Sequence, residues 1–267
     1  MHARQVTLQA LNLLGFAVML GMNYAANAMP INNVSTQELS DMYPSLFTPA
    51  GFTFSIWGLI YLSLLGFCVY QSRGLFFRSR GHNMLFVHEI GYLFFVSCIF
   101  NAGWIVAWHY MHIHLSVLIM TALLITLIKI YLNLDVGRRR VSLASNLFVY
   151  LPFRMYLGWI SIATIANVSA LLVYIGWDGG GLSPQTWTII MIMVAALLTV
   201  GFLVLRRDLA VGLVSLWALF GITFKRLVIV EPPDLMVALS SVLGMGLVVA
   251  FMVWAVAHKI ELSHTGR

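Results

Sequence analysis

The chain has 267 residues, of which 61% are hydrophobic and 9% are charged, whereas about 25% of the residues of a soluble domain are charged. This composition excludes a soluble globular protein and indicates an integral membrane protein. The formal charge of +6 does not indicate a nucleic-acid partner, because the basic residues are spread over short loops.

Eight apolar runs are long enough to cross a bilayer, since a spanning helix needs about 20 mainly apolar residues. None of them alternates apolar and polar residues as a transmembrane β-strand does. The sequence therefore predicts an all-α membrane protein, a bundle of eight transmembrane helices. The predicted spans cover residues 6–29, 50–71, 84–108, 115–134, 146–175, 186–205, 209–228 and 235–257.

The first run allows two interpretations. A basic start, an apolar stretch and the letters AANAMP resemble a signal peptide cleaved after Ala28, which would leave seven spans. Against cleavage, one face of this helix carries a pattern that a discarded peptide does not need. We therefore expect the helix to be retained. The residues on that face are Asn12, Gly15, Met19 and Asn23.

The charges alternate between the two ends of the predicted spans. Acidic residues dominate one set of loops, where Lys225 and Arg226 are the basic exceptions. The positive-inside rule then places both termini in the cytoplasm, and we expect a multi-pass protein of a bacterial inner membrane. The basic residues on the cytoplasmic side are Arg4, Arg73, Arg78, Arg80, Arg138, Arg139, Arg140, Arg206, Arg207, Lys259 and Arg267.

The longest segment between spans covers residues 30–49 and is polar, with aromatic residues and prolines near its end. It either folds back over the mouth of the bundle or serves as an ordinary tether, and both interpretations stay open here. As a lid, it would place Phe47, Pro49 and Phe52 at the mouth.

Three predicted helices carry a stripe of aromatic, polar and small residues. At 3.6 residues per turn, such residues align on one face of the second, third and fifth spans. An asparagine that faces lipid would leave its amide without a partner, which costs several kcal/mol, so the stripes should face one another. Their members are Phe54, Trp57 and Tyr61, then Phe94, Ser97, Asn101, Trp104 and Trp108, then Tyr156, Trp159, Ala163 and Asn167.

Inward stripes are compatible with two functions. Interhelical hydrogen bonds and aromatic packing would need the same residues. A cavity for a flat, amphipathic ligand would need them too, since such sites are mostly apolar with a few directed polar groups. The residues alone leave both open.

The stripes resemble motifs of the TspO/MBR family, the tryptophan-rich sensory or translocator proteins. The stretch YLGWISIATIAN is similar to the fifth-helix motif, NAGWIVAW to the third-helix motif, and FTPAGFTFSIWGLIY to the motif that leads into the second helix. Two positions depart from the last motif, because Ala50 and Phe52 stand where the family has proline and tryptophan.

The resemblance implies a five-helix TspO-like core over residues 1–176 and three further helices over residues 177–267. It implies binding of a tetrapyrrole such as protoporphyrin IX or haem, or of a sterol in some members, with no cofactor required. Trp57 and Trp159 would be the pocket tryptophans. The rest of the expected ligand-binding set is Tyr61, Asn101, Trp104, Trp108, Tyr156, Ala163 and Asn167.

Other chemistry has little support in the sequence. His109, His112 and His114 could hold a metal or haem iron, but their spacing is not that of a helical i, i+4 pair, which favours a wet interfacial loop. No catalytic motif is present. The partners that we expect are the bilayer and a hydrophobic small molecule, with a homodimer left open. The alternatives to a sensor, carrier or regulator are a small-molecule permease and an intramembrane enzyme on a lipid or pigment.

Overall fold

The structure is a computed structural model that describes residues 2–29, 31–76 and 84–265. Helices form all of the regular structure in these ranges. Pro30, Arg78, Arg80 and Arg267, which the charge and loop predictions include, lie outside the described residues, and so does the side chain of Lys259. The predicted all-helical fold is thus confirmed for the described residues.

Long helices coincide with the apolar runs. Seven helical segments in the described ranges are long and apolar enough to cross a membrane. Their bounds agree with the predicted spans to within a few residues, as for Pro184–Arg206, which was predicted over residues 186–205. The helices are α1 His2–Ala28, α2 Thr36–Met42, α3 Ile56–Phe76, α4 Leu85–Ile90, α5 Leu93–His109, α6 Ile113–Asn133, α7 Leu143–Ser145, α8 Leu151–Tyr174, α9 Pro184–Arg206, α10 Leu209–Phe224 and α11 Leu235–Thr265.

The third predicted span is interrupted. Gly91 adopts a φ of +56° between α4 and α5, a conformation that glycine reaches without a steric penalty. The 17 residues of α5 extend about 25 Å at 1.5 Å per residue, which is less than the ~30 Å of a typical hydrocarbon core. The count of eight spans therefore stays a prediction.

Two long helical segments contain a π-helical turn. Residues Asn146–Tyr150 lead into α8, where the N–H of Leu151 donates to the carbonyl oxygen of Asn146. Pro152 follows, and it has no N–H to offer the preceding turn. A second π-helical turn, Lys225–Ile229, extends α10. Turns of this kind occur mostly as local bulges and often near functional sites.

The predicted polar loop has helical structure. A 3₁₀ turn covers Ile31–Asn33, and α2 follows. Ser35 and Glu38 form a reciprocal cap at the start of α2, since the N–H of Ser35 donates to Glu38 Oε2 at 2.7 Å and the N–H of Glu38 donates to Ser35 Oγ at 3.2 Å. Hydrogen bonds from Ser35 to the carboxylate lower the pKa of Glu38.

The chain packs as two compact units. The N-terminal unit comprises Met1–Leu39 and Ile56–Ile160, and the C-terminal unit comprises Ser40–Ser55 and Ser161–Arg267. The boundary falls within α8, between Ile160 and Ser161. The predicted division at residue 176 concerns family relationship and stays a prediction.

In the N-terminal unit, α1 packs on α3 and α5, and α5 packs on α6. The polar face predicted for α1 points inward, because Asn12 Nδ2 donates to Gln71 Oε1 of α3 at 2.9 Å. Phe67, Phe94 and Phe153 meet edge to face with ring centroids 5.0–5.6 Å apart. Such offsets are the favoured geometry of aromatic pairs, so these rings tie α3, α5 and α8 together.

In the C-terminal unit, α9, α10 and α11 pack on one another. Hydroxyl groups join them, with Thr199 and Ser215 at 2.7 Å and Ser241 Oγ donating to the carbonyl oxygen of Leu219 at 2.8 Å. A Cβ on Gly244 would lie 3.4 Å from Ile192, so glycine allows the two helices a close approach. Small residues and hydroxyls are the usual means by which membrane helices pack.

Candidate functional site

Trp57 of α3 is the centre of an aromatic cluster in the N-terminal unit. Its ring stacks on Tyr61 with centroids 5.4 Å apart and on Trp104 of α5 at 6.3 Å. Tyr156 and Trp159 of α8 meet it at steep angles, each with its centroid 6.1 Å away. Three helices thus bring one ring or more to the same indole.

The stack continues along α5. Trp108 lies nearly parallel to Trp104 with centroids 6.0 Å apart. Its Nε1 donates to the carbonyl oxygen of Thr36 at 3.4 Å, which places α2 at the end of the row. We call the set Trp57, Tyr61, Trp104, Trp108, Tyr156 and Trp159 the aromatic cluster.

A chain of polar groups lies beside the cluster. Asn23 Nδ2 of α1 donates to Asn101 Oδ1 of α5 at 2.7 Å, and Asn101 Nδ2 donates to the Tyr156 hydroxyl of α8 at 2.9 Å. The Tyr156 hydroxyl in turn faces the sulfur of Met19 at 3.9 Å. The central amide of Asn101 therefore uses its oxygen and its nitrogen to join three helices.

Burial differs between members of the cluster. Tyr156 is fully buried, Trp159 is 3% exposed and Trp104 is 6% exposed, whereas Trp57 and Tyr61 are half-buried. Part of the Trp57 ring is therefore exposed, while the rest contacts rings of α5 and α8.

The remaining predicted site residues belong to the C-terminal unit. Asn167 is buried and Ala163 is half-buried in the second half of α8. Phe47 and Pro49 are buried, while Phe52 is 40% exposed. The six rings of the cluster and Asn101 are thus brought together within one unit, and the other five predicted residues lie in the other.

Residues Ser40–Ser55, here called the anchored segment, are fixed to α10 and its π-helical turn. Lys225 Nζ pairs with Asp41 Oδ1 at 2.6 Å, and the N–H of Ala50 donates to the carbonyl oxygen of Gly221 at 3.0 Å. Trp217 Nε1 donates to the carbonyl oxygen of Thr53 at 2.9 Å.

Aromatic rings reinforce this attachment. The ring of Phe52 lies 5.3–5.9 Å from those of Trp217, Phe220 and Phe224. Tyr43 meets Tyr174 edge-on at 6.1 Å, and burial raises the pKa of the Tyr43 hydroxyl. The sequence did not predict this attachment. Lys225 and Arg226, the basic exceptions among the acidic loops, were the available signal.

The three histidines lie in different environments. His109 is fully buried, with Nδ1 2.9 Å from the carbonyl oxygen of Ile105. His112 precedes α6, and His114 is exposed on its first turn. In the ranges that the structure covers, no three His, Cys, Asp or Glu side chains gather as metal ligands would. Cys68 and Cys98 are buried free thiols.

Comparison with known proteins gives one finding. The model of a family described as TSPO-like protein matches residues 9–254. The match covers more than nine-tenths of the chain and runs through α9, α10 and most of α11. No curated protein and no solved structure matches the chain significantly.

Proposed function

Because the chain belongs to the TSPO-like protein family, we propose that this multi-pass membrane protein binds a planar, hydrophobic ligand of the tetrapyrrole class on its aromatic cluster. It would act as a sensor, carrier or regulator of that ligand. The proposal rests on the residues of the N-terminal unit.

The observation that carries the proposal is the position of Trp57. Its half-buried indole contacts rings from α5 and α8 at centroid distances of 6.1–6.3 Å. A flat macrocycle could stack on the Trp57 ring in place of one of its aromatic neighbours. Stacking between π systems contributes about 0.5–1.5 kcal/mol per pair. Sites for such ligands are mostly apolar with a few directed polar groups.

Asn101 would supply the directed polar contact, or hold the rings in place. Its amide is fully buried and hydrogen-bonded on both sides. A buried amide that loses a partner costs about 1–3 kcal/mol, so the side chain has one favoured orientation. The rings of α5 and α8 are therefore set before a ligand arrives, which reduces the entropy cost of binding.

Titration with protoporphyrin IX tests the proposal. We expect the tryptophan fluorescence of the purified full-length protein in nanodiscs to be quenched saturably in the micromolar range. Trp57→Ala and Trp159→Ala should each weaken the affinity about tenfold, since one lost ring contact is comparable to the ~1.4 kcal/mol that a factor of ten represents.

Trp254→Ala is the matched control. Trp254 is a half-buried tryptophan of α11 in the C-terminal unit, where it packs on Phe251 and His258. Its replacement should leave the affinity unchanged. Quenching that rises linearly without saturation, or equal affinities for all of the variants, would contradict the proposal.

A further inference from the structure

The C-terminal unit contains a cavity of about 500 Å³ that none of the predicted site residues lines. This volume lies within the range of about 300–1,000 Å³ that small-molecule sites occupy. It is formed by the anchored segment, the last turns of α8, the loop after α8 and the first turns of α9. Its polar and aromatic lining residues are Ser45, Ser169, Trp177, Asp178, Trp187 and Thr188.

The wall of the cavity offers few free hydrogen-bond donors. Ser169 Oγ donates to the carbonyl oxygen of Ile165 at 2.9 Å, and Thr188 Oγ1 donates to that of Pro184 at 2.9 Å. Both hydroxyls are therefore used within their own helices. The other members of the wall on α8 and α9 are Val168, Leu172, Val173, Pro184 and Met191, so the body of a ligand should be apolar.

The cavity wall carries the negatively charged carboxylate of Asp178. Asp178 Oδ1 accepts from the N–H of Gly180 at 2.9 Å, which fixes the carboxylate at the wall. Among the residues that the structure describes, no Lys, Arg or His lines the cavity. Arg226 donates to the carbonyl oxygen of Ser45 at 3.2 Å, but it is not a lining residue. Asp178 forms no ion pair with any residue in the described part of the chain.

Two indoles line the cavity together with Asp178. The rings of Trp177 and Trp187 lie 4.7 Å apart at 59°, and Trp187 Nε1 donates to the carbonyl oxygen of Gly179. The N–H of Trp187 is thus engaged and its ring is held in place. Indole faces attract cations, most strongly where the cation is stripped of water.

We propose that this cavity binds an amphipathic organic monocation, such as a quaternary ammonium or phosphonium with an apolar body. Asp178 balances the charge, the two indoles contact the cationic centre and the apolar wall takes the rest. The site is independent of the tetrapyrrole proposal, because it shares no residue with the aromatic cluster.

Binding of radiolabelled methyltriphenylphosphonium to the full-length protein in zwitterionic nanodiscs tests the assignment. We expect saturable binding that unlabelled probe displaces and that triphenylethane, its uncharged carbon analogue, does not. Asp178 is exposed, so Asp178→Asn should weaken the affinity about fivefold, the upper range for an exposed charge pair. Met191→Trp should weaken binding by narrowing the cavity.

Two controls make the outcome decisive. Glu231→Gln removes an exposed carboxylate that does not line the cavity, and it should leave the affinity unchanged. Trp57→Ala should also leave it unchanged, whatever it does to porphyrin binding. The proposal is overturned if probe binding is not saturable, if triphenylethane competes equally, if Asp178→Asn binds as the wild type does, or if Trp57→Ala abolishes binding.

Discussion

Asn101 shows how one polar side chain organises the interior of the N-terminal unit. It accepts from Asn23 on α1 and donates to Tyr156 on α8, so three helices share one amide. In a membrane, a polar group of this kind contributes about 0.6–1.7 kcal/mol per contact. The amide therefore fixes how these helices are rotated about their axes as well as adding stability.

Replacing this amide should destabilise the protein measurably. We expect Asn101→Leu to lower the free energy of unfolding by about 1–3 kcal/mol, because two buried hydrogen bonds between helices are lost and the Asn23 amide and the Tyr156 hydroxyl keep only their contacts with Met19. Tyr156→Phe should cost less, since it removes the hydroxyl with its contacts to Asn101 and Met19 but keeps the ring. Reversible unfolding in mixed detergent micelles measures both changes.

Thr121→Val is the control for that experiment. Thr121 is exposed on α6, and its hydroxyl donates to a carbonyl oxygen of its own helix. An unchanged stability for Asn101→Leu would show that the polar chain adds nothing to packing.

The sequence was sufficient to predict which side chains of the N-terminal unit meet, because helical periodicity places Trp57, Trp104 and Trp159 on polar stripes that cannot face lipid. It was not sufficient to predict that Phe52 packs on α10. Periodicity describes one helix at a time, and this contact joins residues that are far apart in the chain.

The helix α10 packs closely against the anchored segment. Gly221 sits at the closest approach, since a Cβ built there would lie 2.0 Å from Thr53 Oγ1. Its carbonyl oxygen also accepts from the N–H of Ala50. A side chain at this position would therefore push the segment away from the helix.

We expect Gly221→Ala to lower the free energy of unfolding by about 1–3 kcal/mol, the usual cost of overpacking. It should also increase hydrogen exchange of the amides in Ser40–Ser55. Combining it with Thr53→Ala should restore part of the loss, because the clashing hydroxyl is removed. Mass spectrometry of deuterium uptake measures the segment directly.

Gly201→Ala provides the comparison, since a Cβ there would meet nothing within 4 Å. That variant should be neutral or slightly stabilising, as alanine is the better helix former. Equal effects of the two glycine substitutions would contradict the close packing of Thr53 on Gly221.

The elements were predictable where hydropathy alone decides them. Runs such as Pro184–Arg206 were found because about 20 apolar residues have few alternatives to a spanning helix. The break at Gly91 was missed because it lies inside an apolar run, where a backbone with positive φ leaves hydropathy unchanged. The π-helical turns were missed for the same reason.

For the whole molecule, the open question is whether α5 crosses the membrane. If it does, its two ends face opposite compartments and the termini share the cytoplasmic side that the positive-inside rule favours. Cys68 and Cys98 are 1% and 0% exposed, so the unaltered chain should react little with a membrane-impermeant maleimide. Single cysteines can then be introduced without background.

We expect Tyr110→Cys to be labelled in intact cells and Leu85→Cys only after permeabilisation. Both native side chains are exposed, at 55% and 49%, so a difference in labelling reports the side of the membrane. Equal labelling of both positions before permeabilisation would show that α5 does not cross.

The anchored segment has a consequence for how the protein is made. Ser45 leaves the ribosome well before Arg226, its partner 181 residues later. At about 5–20 residues per second, roughly 10–35 s of translation separate the synthesis of Ser45 from that of Arg226. During that interval Phe52 has none of its ring partners on α10, and transiently exposed apolar groups of this kind favour aggregation. A chain cut after α8 lacks α10, so the anchored segment has no helix to pack on. Production of the first five spans alone should therefore give a protein prone to aggregation.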